Sequence, residues 1–393
     1  MSVEWFDLAQ RLHAARTGTP VARLRHTPFT RAISTVAVRA TIRAGVTTVS
    51  VAADRHATRT ATDADGLSLL ADCGATIAAA EPVLLLVDDA ATLPVLEKLA
   101  RHWARDSDDS VSGAAAMCGW WADRAAHPGT SAVVDLVGAS RSRFVLGVDP
   151  DAETRNSVWR NWLGIVDDSC SGMHEWADIV GAGTVLLLLD PIHEDDAYRL
   201  AKMRELFTDG IGWNRPDNPA SAAMGLRSRC DAADLWAGAL LSDPLWRRRA
   251  VHTGHVATGT AKHTAKKPGS AGRASIAVAC DRLDSRLRVG TKVAGWVGGP
   301  EDQPFERFFA DVKSATVAGG GLRLDLGAIS THAPTDGARV CVMPQPPSPQ
   351  TLRAGRSAYY ALYARRSWLS TGRTPALQRR DVPLDVLIAG AED

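Results

Sequence analysis

The spacing of apolar residues changes part-way along this chain, and the change limits its fold more than any other feature. The first half carries continuous aliphatic runs at Val83–Val87 and Val185–Leu189, and shorter ones at Ala132–Val134 and Phe144–Val148. Such runs are typical of strands buried on both faces, and segments of helical period follow them. Strands that alternate with helices predict an α/β layer with a largely parallel sheet.

Beyond residue 270, apolar residues recur at every second position. Five short segments show this alternation: Ile276–Cys280, Leu287–Val293, Phe308–Val312, Leu322–Leu326 and Val340–Val342. Gly319–Gly321 separates two of them and suits a hairpin turn, because glycine adopts backbone conformations that other residues avoid. Short alternating strands at this density predict a small antiparallel barrel or sandwich.

The sequence therefore predicts an α/β N-terminal domain followed by a small antiparallel β-barrel or sandwich domain with a basic helical tail. We expect the α/β domain at 1–215, a helical segment and basic connector at 216–270, the barrel-like domain at 271–345 and the tail at 346–393. Residues 257–273 are rich in lysine and glycine, which is typical of a flexible connector.

A membrane partner, a cofactor and a metal site are not expected. The aliphatic runs are far shorter than the roughly 20 residues that cross a bilayer, and the N-terminus lacks the apolar core of a signal peptide. The six cysteines lie at least 45 residues apart, whereas zinc ligands usually include close pairs. We expect a cytoplasmic protein with reduced thiols. Abundant Ala and Arg with little Lys indicate a bacterial, plasmid or phage source.

Charge is distributed unevenly, although the net charge is only +1. Residues 1–60 carry nine arginines and three acidic residues, whereas residues 61–200 carry 9 basic and 23 acidic residues. Residues 201–393 carry 27 basic and 18 acidic residues. A basic half on a neutral chain suggests a polyanionic partner, and nucleic acid, either DNA or RNA, is the commonest one.

The candidate phosphate contacts fall in three groups. Those around the connector are Arg247, Arg248, Arg249, Lys262, Lys266, Lys267 and Arg273; those on or beside predicted strands are Arg288, Lys292 and Arg323; those in the tail are Arg356, Tyr359, Tyr363, Arg365 and Arg366. Arginine binds phosphate through two donors, and aromatic rings stack on unpaired bases. The tail tyrosines also fit a second interpretation, in which they pack against the protein and the arginines are merely solvated.

Two other functions stay open on the sequence alone. Aspartates follow the strand-like runs of the first half: Asp88, Asp89, Asp135, Asp149 and Asp190. If they converge at one sheet edge, they could hold Mg²⁺ for a nuclease or phosphotransferase, although aspartate after a strand is also an ordinary turn or helix-capping residue. No G-x-x-x-x-G-K-[ST] or G-x-S-x-G motif occurs, so no catalytic residue is assigned. Separated charges could instead dock this chain with other protein subunits.

Overall fold

The computed structural model describes residues 5–30, 34–54, 56–211, 213, 218–264, 274–302, 304, 306–329 and 332–365. The chain divides into two compact units, Met1–Arg215 with Arg229–Ser348, and Pro216–Ser228 with Pro349–Asp393. The boundaries predicted from the sequence stay a prediction. Within the first unit, an α/β region is followed by a closed antiparallel β-barrel, as the sequence predicts.

The α/β region opens with a helix and four consecutive strands, and strands alternate with one or more helices only from β4 onward. Its elements are α1 (Trp5–Thr17), β1 (Val21–Ala22), β2 (Thr35–Arg43), β3 (Val46–Ala53), β4 (Arg59–Thr62), α2 (Asp63–Asp72), β5 (Leu84–Val87), α3 (Thr92–Trp103), α4 (Asp109–Arg124), β6 (Val133–Asp135), α5 (Leu136–Arg143), β7 (Phe144–Val145), α6 (Asn156–Leu163), α7 (Cys170–Val180) and α8 (Asp190–Thr208).

The main sheet has five strands in the order β4-β3-β2-β5-β6. Strand β2 pairs in parallel with β5, and β5 with β6, while β3 and β4 extend the sheet beside β2 in antiparallel fashion. Residues of β5 alternate between two cores: Leu85 and Val87 pack on the side of α2, α3 and α4, and Leu84 and Leu86 on the side of α5, α6 and α7. Helices therefore cover both faces of a mixed sheet.

Two of the predicted strands do not join this sheet. Phe144–Val148 forms only the two-residue strand β7, which pairs with β1 in a separate two-stranded sheet. Val185–Leu189 forms no strand, and a single isolated bridge joins Val185 to Thr27. The prediction of a buried strand there was wrong, because the pattern of a short aliphatic run does not distinguish a strand from other partly buried segments.

The second half of the chain begins with two helices and continues into the barrel. Its elements are α9 (Pro219–Leu240), α10 (Pro244–His252), β8 (Ala257–His263), β9 (Ile276–Cys280), β10 (Lys292–Val297), β11 (Phe308–Ala318), β12 (Gly321–Gly327), β13 (Arg339–Pro344) and, in the second unit, α11 (Pro349–Arg365). The six strands close in the order β10-β11-β12-β9-β8-β13. Inward residues such as Val278, Phe308 and Leu324 fill the interior.

Strand β8 is the sixth strand, which the sequence analysis missed, and β10 begins only at Lys292, five residues after the start of the predicted segment Leu287–Val293. The residues of β8, Ala257–His263, were assigned to the flexible connector, and for them that assignment was wrong. Its inward side chains include only the small residues Ala257 and Ala261. Because alanine, threonine and glycine give little contrast between an apolar and a polar face, the alternation of this strand is invisible in the sequence.

Helix α10 packs against one outer side of the barrel. Leu241, Ala250 and Val256 form a core with Trp296 of β10 and Cys341 of β13. The strands β11, β12, β9 and β8 form the rest of the barrel wall, and we call their outer side the outer arc. On its strands, inward residues alternate with outward ones, so the outward positions decide what the barrel presents.

Helix α8 is held to the end of α4 through a buried carboxylate. Asp196 is 3% exposed and accepts hydrogen bonds from Arg124 Nε, Thr130 Oγ1 and the Ser131 amide at 2.7–2.8 Å. His127 lies beside this cluster, 2% exposed, with Nδ1 3.1 Å from the Asp123 carbonyl oxygen. Burial, reinforced by the charge of Arg124, lowers the pKa of His127 from 6.5 to about 4.

Because its pKa is lowered, His127 should make the folded protein less stable in acid. Because the folded protein resists protonation of His127, the stabilisation is complete above the unfolded pKa of 6.5 and is lost as the pH falls toward 4. The loss amounts to roughly 3 kcal/mol at most. His127→Asn keeps a donor for the Asp123 carbonyl but does not titrate, so urea unfolding at a series of pH values should give a shallower decline between pH 6.5 and 4. Parallel curves for the two proteins would contradict the prediction.

Candidate functional site

The barrel carries exposed cations at outward positions of its strands. Lys262 on β8, Lys292 on β10 and Arg323 on β12 are exposed, because their neighbours in sequence occupy the interior. Arg288 lies in the turn just before β10, where its carbonyl accepts the Thr291 amide, and is exposed as well. The structure therefore places these four predicted residues at the surface of the barrel.

Several acidic side chains of the barrel already have their own cation. These pairs are Arg339–Asp281 at 2.7 Å, Arg323–Asp325 and Arg282–Asp284 at 2.8 Å, and Lys313–Asp311 at 3.0 Å. By contrast, Lys262, Arg288 and Lys292 form no ion pair with any residue that the structure describes. Among the described residues, the exposed carboxylates of Glu301, Asp302 and Asp336, in the loops of the barrel region, likewise have no ion pair.

The three arginines at 247–249 have different environments, although they are consecutive in sequence. Arg248 is exposed and forms no hydrogen bond or ion pair with a described residue, whereas Arg249 donates two hydrogen bonds to Asp7 at 2.8 and 2.9 Å. Arg247 is 0% exposed. A helix turns by about 100° per residue, so neighbours on α10 face the barrel, the solvent and α1 in turn.

The guanidinium of Arg247 donates four hydrogen bonds inside the protein. It donates to the carbonyl oxygens of Pro300 and Asp302 at 2.6 and 2.7 Å, and to those of Leu241 and Ser242 at 3.2 and 2.8 Å. Its carbon Cζ lies 5.3 Å from the ring centre of Trp296. Burial lowers its pKa, which is the usual effect of removing a cation from water. Because this side chain is buried and bonded to four carbonyl oxygens, it is not accessible to a phosphate.

In the second unit, the predicted tail helix forms and stacks its tyrosines. The rings of Tyr359 and Tyr363 on α11 are stacked with centres 6.2 Å apart. The guanidinium of Arg227 lies 4.3 Å from the ring centre of Tyr359, so this cation occupies a ring face that a base would need. Both tyrosines and Arg356 are half-buried, and Arg365 is exposed. The packing interpretation of these tyrosines thus has direct contacts in its favour.

Four predicted contacts lie outside the described residues. They are Lys266, Lys267 and Arg273, between β8 and β9 in the sequence, and Arg366, which follows α11. Their role stays a prediction.

Two histidines lie at the end of α10 and in the turn after it, His252 and His255. The ring of His252 stacks on Phe6, and Nδ1 of His255 lies 2.9 Å from the Thr253 hydroxyl.

The strand-end aspartates do not form one site. Asp88 is buried and is held by Arg39, whose Nε donates to it at 3.1 Å, and by the Asn156 amide at 3.3 Å, with Arg160 Nη2 3.7 Å away. Arg39 and Arg160 were not singled out by the sequence analysis. Only the alternation of β2, which brings Arg39 opposite the end of the parallel strand β5, could have indicated the first of them.

Of the remaining aspartates, Asp89 and Asp135 lie near Asp88, at the ends of the neighbouring strands β5 and β6. Burial raises the pKa of Asp135, at the end of β6, and the nearby charges of Asp89 and Asp88 add to the effect. Asp149 and Asp190 are exposed and belong to other segments, a turn and the start of α8. Among the described residues, no group of three or more His, Cys, Asp or Glu side chains could hold a metal ion.

Comparison with models of known protein families, with curated proteins and with solved structures found no match for this chain. No helix in the described part of the chain is both long enough and apolar enough to cross a membrane. What the protein does is therefore inferred from the placement and partners of its own side chains.

Proposed function

We propose that this protein binds nucleic acid, contacting phosphates with unpaired cations on the surface of its barrel. The observation that carries the proposal is a set of exposed cations without an ion pair: Asp281, Asp311 and Asp325 each pair with a cation of their own, while Lys262, Arg288 and Lys292 have no ion pair among the described residues. Each such cation can replace counterions condensed on a phosphate backbone.

The barrel surface favours phosphate contact over stacking on bases. Outward positions at the middle of the outer arc hold the small residues Ala277, Ala279 and Thr260. Phe309 is the one exposed aromatic residue on the described barrel strands, at 37%. Binding without aromatic platforms is expected to depend strongly on salt and little on sequence.

The location proposed for this activity is the cytoplasm of a bacterial cell, where chromosomal, plasmid or phage nucleic acid is present. The Arg248 side chain on α10 and Arg365 on α11 are exposed and are included as further phosphate contacts. Arg247 is left out because its donors are bonded to four carbonyl oxygens. Arg323 can contribute by exchanging Asp325 for a phosphate, since exposed ion pairs contribute little stability.

Replacing the three unpaired barrel cations should weaken binding strongly. For the variant Lys262→Ala/Arg288→Ala/Lys292→Ala, we expect a log–log salt slope smaller by about two to three units and an affinity lower by on the order of 100-fold at about 0.1 M salt, because three phosphate contacts are lost. The measurement is fluorescence anisotropy with labelled single- and double-stranded DNA and RNA over a salt series.

The matched control removes the same charge elsewhere. Arg16, Lys98 and Arg105 are also exposed, on or beside helices of the α/β region, so Arg16→Ala/Lys98→Ala/Arg105→Ala should leave the slope nearly unchanged. Equal losses in both triple variants would mean that net charge alone governs binding. If the wild-type protein binds none of the four nucleic acids at low salt, the proposal fails, and docking between protein subunits becomes the better account of the charge pattern.

A further inference from the structure

The first helix, α1, presents an apolar stripe to the solvent. Trp5 is 86% exposed and Leu12 is 57% exposed, and Ala9 and Arg16 are exposed as well. These four residues follow one another at intervals of four, three and four positions, so at about 100° per residue they lie on one side of the helix. Trp5 is the one exposed tryptophan in the described part of the chain. An aromatic residue left in water in this way is typical of a contact with another molecule.

The opposite side of α1 is held against the rest of its unit. Ala14 is 0% exposed, and Arg11 donates to the two carboxylate oxygens of the buried Glu153 at 2.6 and 3.0 Å. Asp7 accepts two hydrogen bonds from Arg249. These contacts fix the rotation of the helix about its own axis. The stripe is therefore displayed by an anchored helix, and its exposure does not come from a loosely attached end.

The order of residues along the stripe makes it complementary to itself. Intervals of four, three and four are those of the seam along which two helices pack in a coiled coil. If a second copy of α1 lies antiparallel, Trp5 faces Arg16 of that copy, and a guanidinium over an indole ring is attracted to it. In the same arrangement Ala9 faces Leu12, so a small residue meets a large one and the helices can approach closely. A parallel pair would instead bring the two Arg16 cations together.

We propose that two copies of this protein associate through an antiparallel pair of α1 helices. The contact is isologous, so the pairing of Trp5 with Arg16 and that of Ala9 with Leu12 each occur twice. Among its described residues the stripe holds one cation and no acidic residue, and the indole of the second copy supplies the partner for this cation. Because the seam is short, we expect a weak dimer with a Kd on the order of 10 μM.

The first test is sedimentation equilibrium of the full, nuclease-treated protein from about 1 to 200 μM, a range that spans the expected Kd. The average mass should rise from 41.9 kDa, the mass of one chain, toward twice that value. Leu12→Arg should raise the Kd by at least about tenfold, because it adds a charge to a seam that already holds two arginines. The matched control is Leu206→Arg on α8, where Leu206 is 41% exposed, and it should change the Kd less than about twofold. A wild-type protein that stays monomeric, or an equal loss in both variants, would overturn the proposal.

Two substitutions at one position test the antiparallel arrangement. In Trp5→Glu the new carboxylate faces Arg16 of the second copy, whereas in Trp5→Arg two guanidinium groups face each other. We expect Trp5→Arg to dimerise about tenfold more weakly than Trp5→Glu at low salt, and the difference to shrink as salt screens the charges. In a parallel pair residue 5 faces itself, so equal dimerisation of the two variants would show that the antiparallel pairing is wrong. Circular dichroism checks that each variant is folded.

A lipid surface is the other occupant that an apolar stripe ending in a cation could take. Co-sedimentation with vesicles of phosphatidylcholine and phosphatidylglycerol tests it. Dimerisation without vesicle binding supports the proposal, whereas a monomer that binds vesicles and loses this binding in Trp5→Ala overturns it. The inference goes beyond the proposed function and does not depend on it, because no nucleic acid is present in these experiments. The dimer can therefore fail while nucleic-acid binding stands, and the reverse.

Discussion

Replacing Arg247 with methionine should destabilise the protein by about 3–5 kcal/mol. Methionine fills much of the volume but supplies no donor, so the carbonyl oxygens of Pro300, Asp302, Leu241 and Ser242 lose their hydrogen bonds. A buried polar group without a partner costs about 1–3 kcal/mol, and several are affected together. The measurement is the free energy of unfolding by urea, followed by tryptophan fluorescence.

The control for this prediction is the next residue in the chain. Arg248 is exposed, so Arg248→Met should change the unfolding free energy by no more than about 0.5 kcal/mol. The two variants remove the same charge from the same helix, and only burial differs between them. Similar unfolding free energies for Arg247→Met and Arg248→Met would show that the buried hydrogen bonds of Arg247 do not stabilise the fold.

Asp243→Ala should cost a comparable amount, because this carboxylate joins the N-terminal segment to α10. Asp243 is 0% exposed. Its Oδ1 caps α10 by accepting the Leu245 and Trp246 amides at 2.9 and 3.2 Å. Its Oδ2 accepts the Arg25 and His26 amides at 2.7 and 2.9 Å, with His26 Nδ1 also at 2.7 Å. Loss of the cap costs about 1 kcal/mol, and the orphaned donors raise the total to about 3–5 kcal/mol.

A helix cap without these tertiary bonds provides the comparison. Asp108 caps α4 by accepting the Ser110 amide at 2.8 Å and lies at the surface. Asp108→Ala should therefore cost only about 1 kcal/mol. Hydrogen exchange gives a second readout: in Asp243→Ala the amides of Arg25 and His26 should exchange faster, while in Asp108→Ala they should not. Equal unfolding energies and unchanged exchange at residues 25 and 26 would contradict the role assigned to Asp243.

These contrasts show that a cluster of basic residues in the sequence does not by itself form a binding surface. The run Arg247–Arg249 reads as one basic patch, yet one guanidinium is buried, one is paired with Asp7 and one is exposed. Likewise, Arg323 reads as a free cation, but Asp325, two residues away on the same outward face, pairs with it. The sequence gives the number of charged side chains, whereas the burial and ion pairs of each side chain decide whether a ligand can reach it.

Periodicity alone determined the main features of the fold. The alternation in Ile276–Cys280 and Leu322–Leu326 predicts barrel strands, because side chains of a strand point to opposite faces and only one face is buried. The continuous aliphatic run Val83–Val87 predicts a central strand for a different reason, because helices cover both of its faces and every residue is buried. Where the pattern of apolar residues in the sequence is clear, the predicted strands are the ones that the structure buries.

Only the tertiary structure decided the rest. Strand β8 begins with five small residues, Ala257–Ala261, so its place in the barrel depends on hydrogen bonds to β9 and β13 that leave no local pattern. Val185–Leu189 has the pattern of a strand but finds only one bridge, because a strand also needs a neighbour with free backbone groups. The aspartates after β5 and β6 likewise could not be assigned from their spacing, because Arg39 and Arg160, distant in sequence, occupy the space around Asp88. Contacts between residues far apart in the chain settle such choices, and a pattern within one segment carries no information about them.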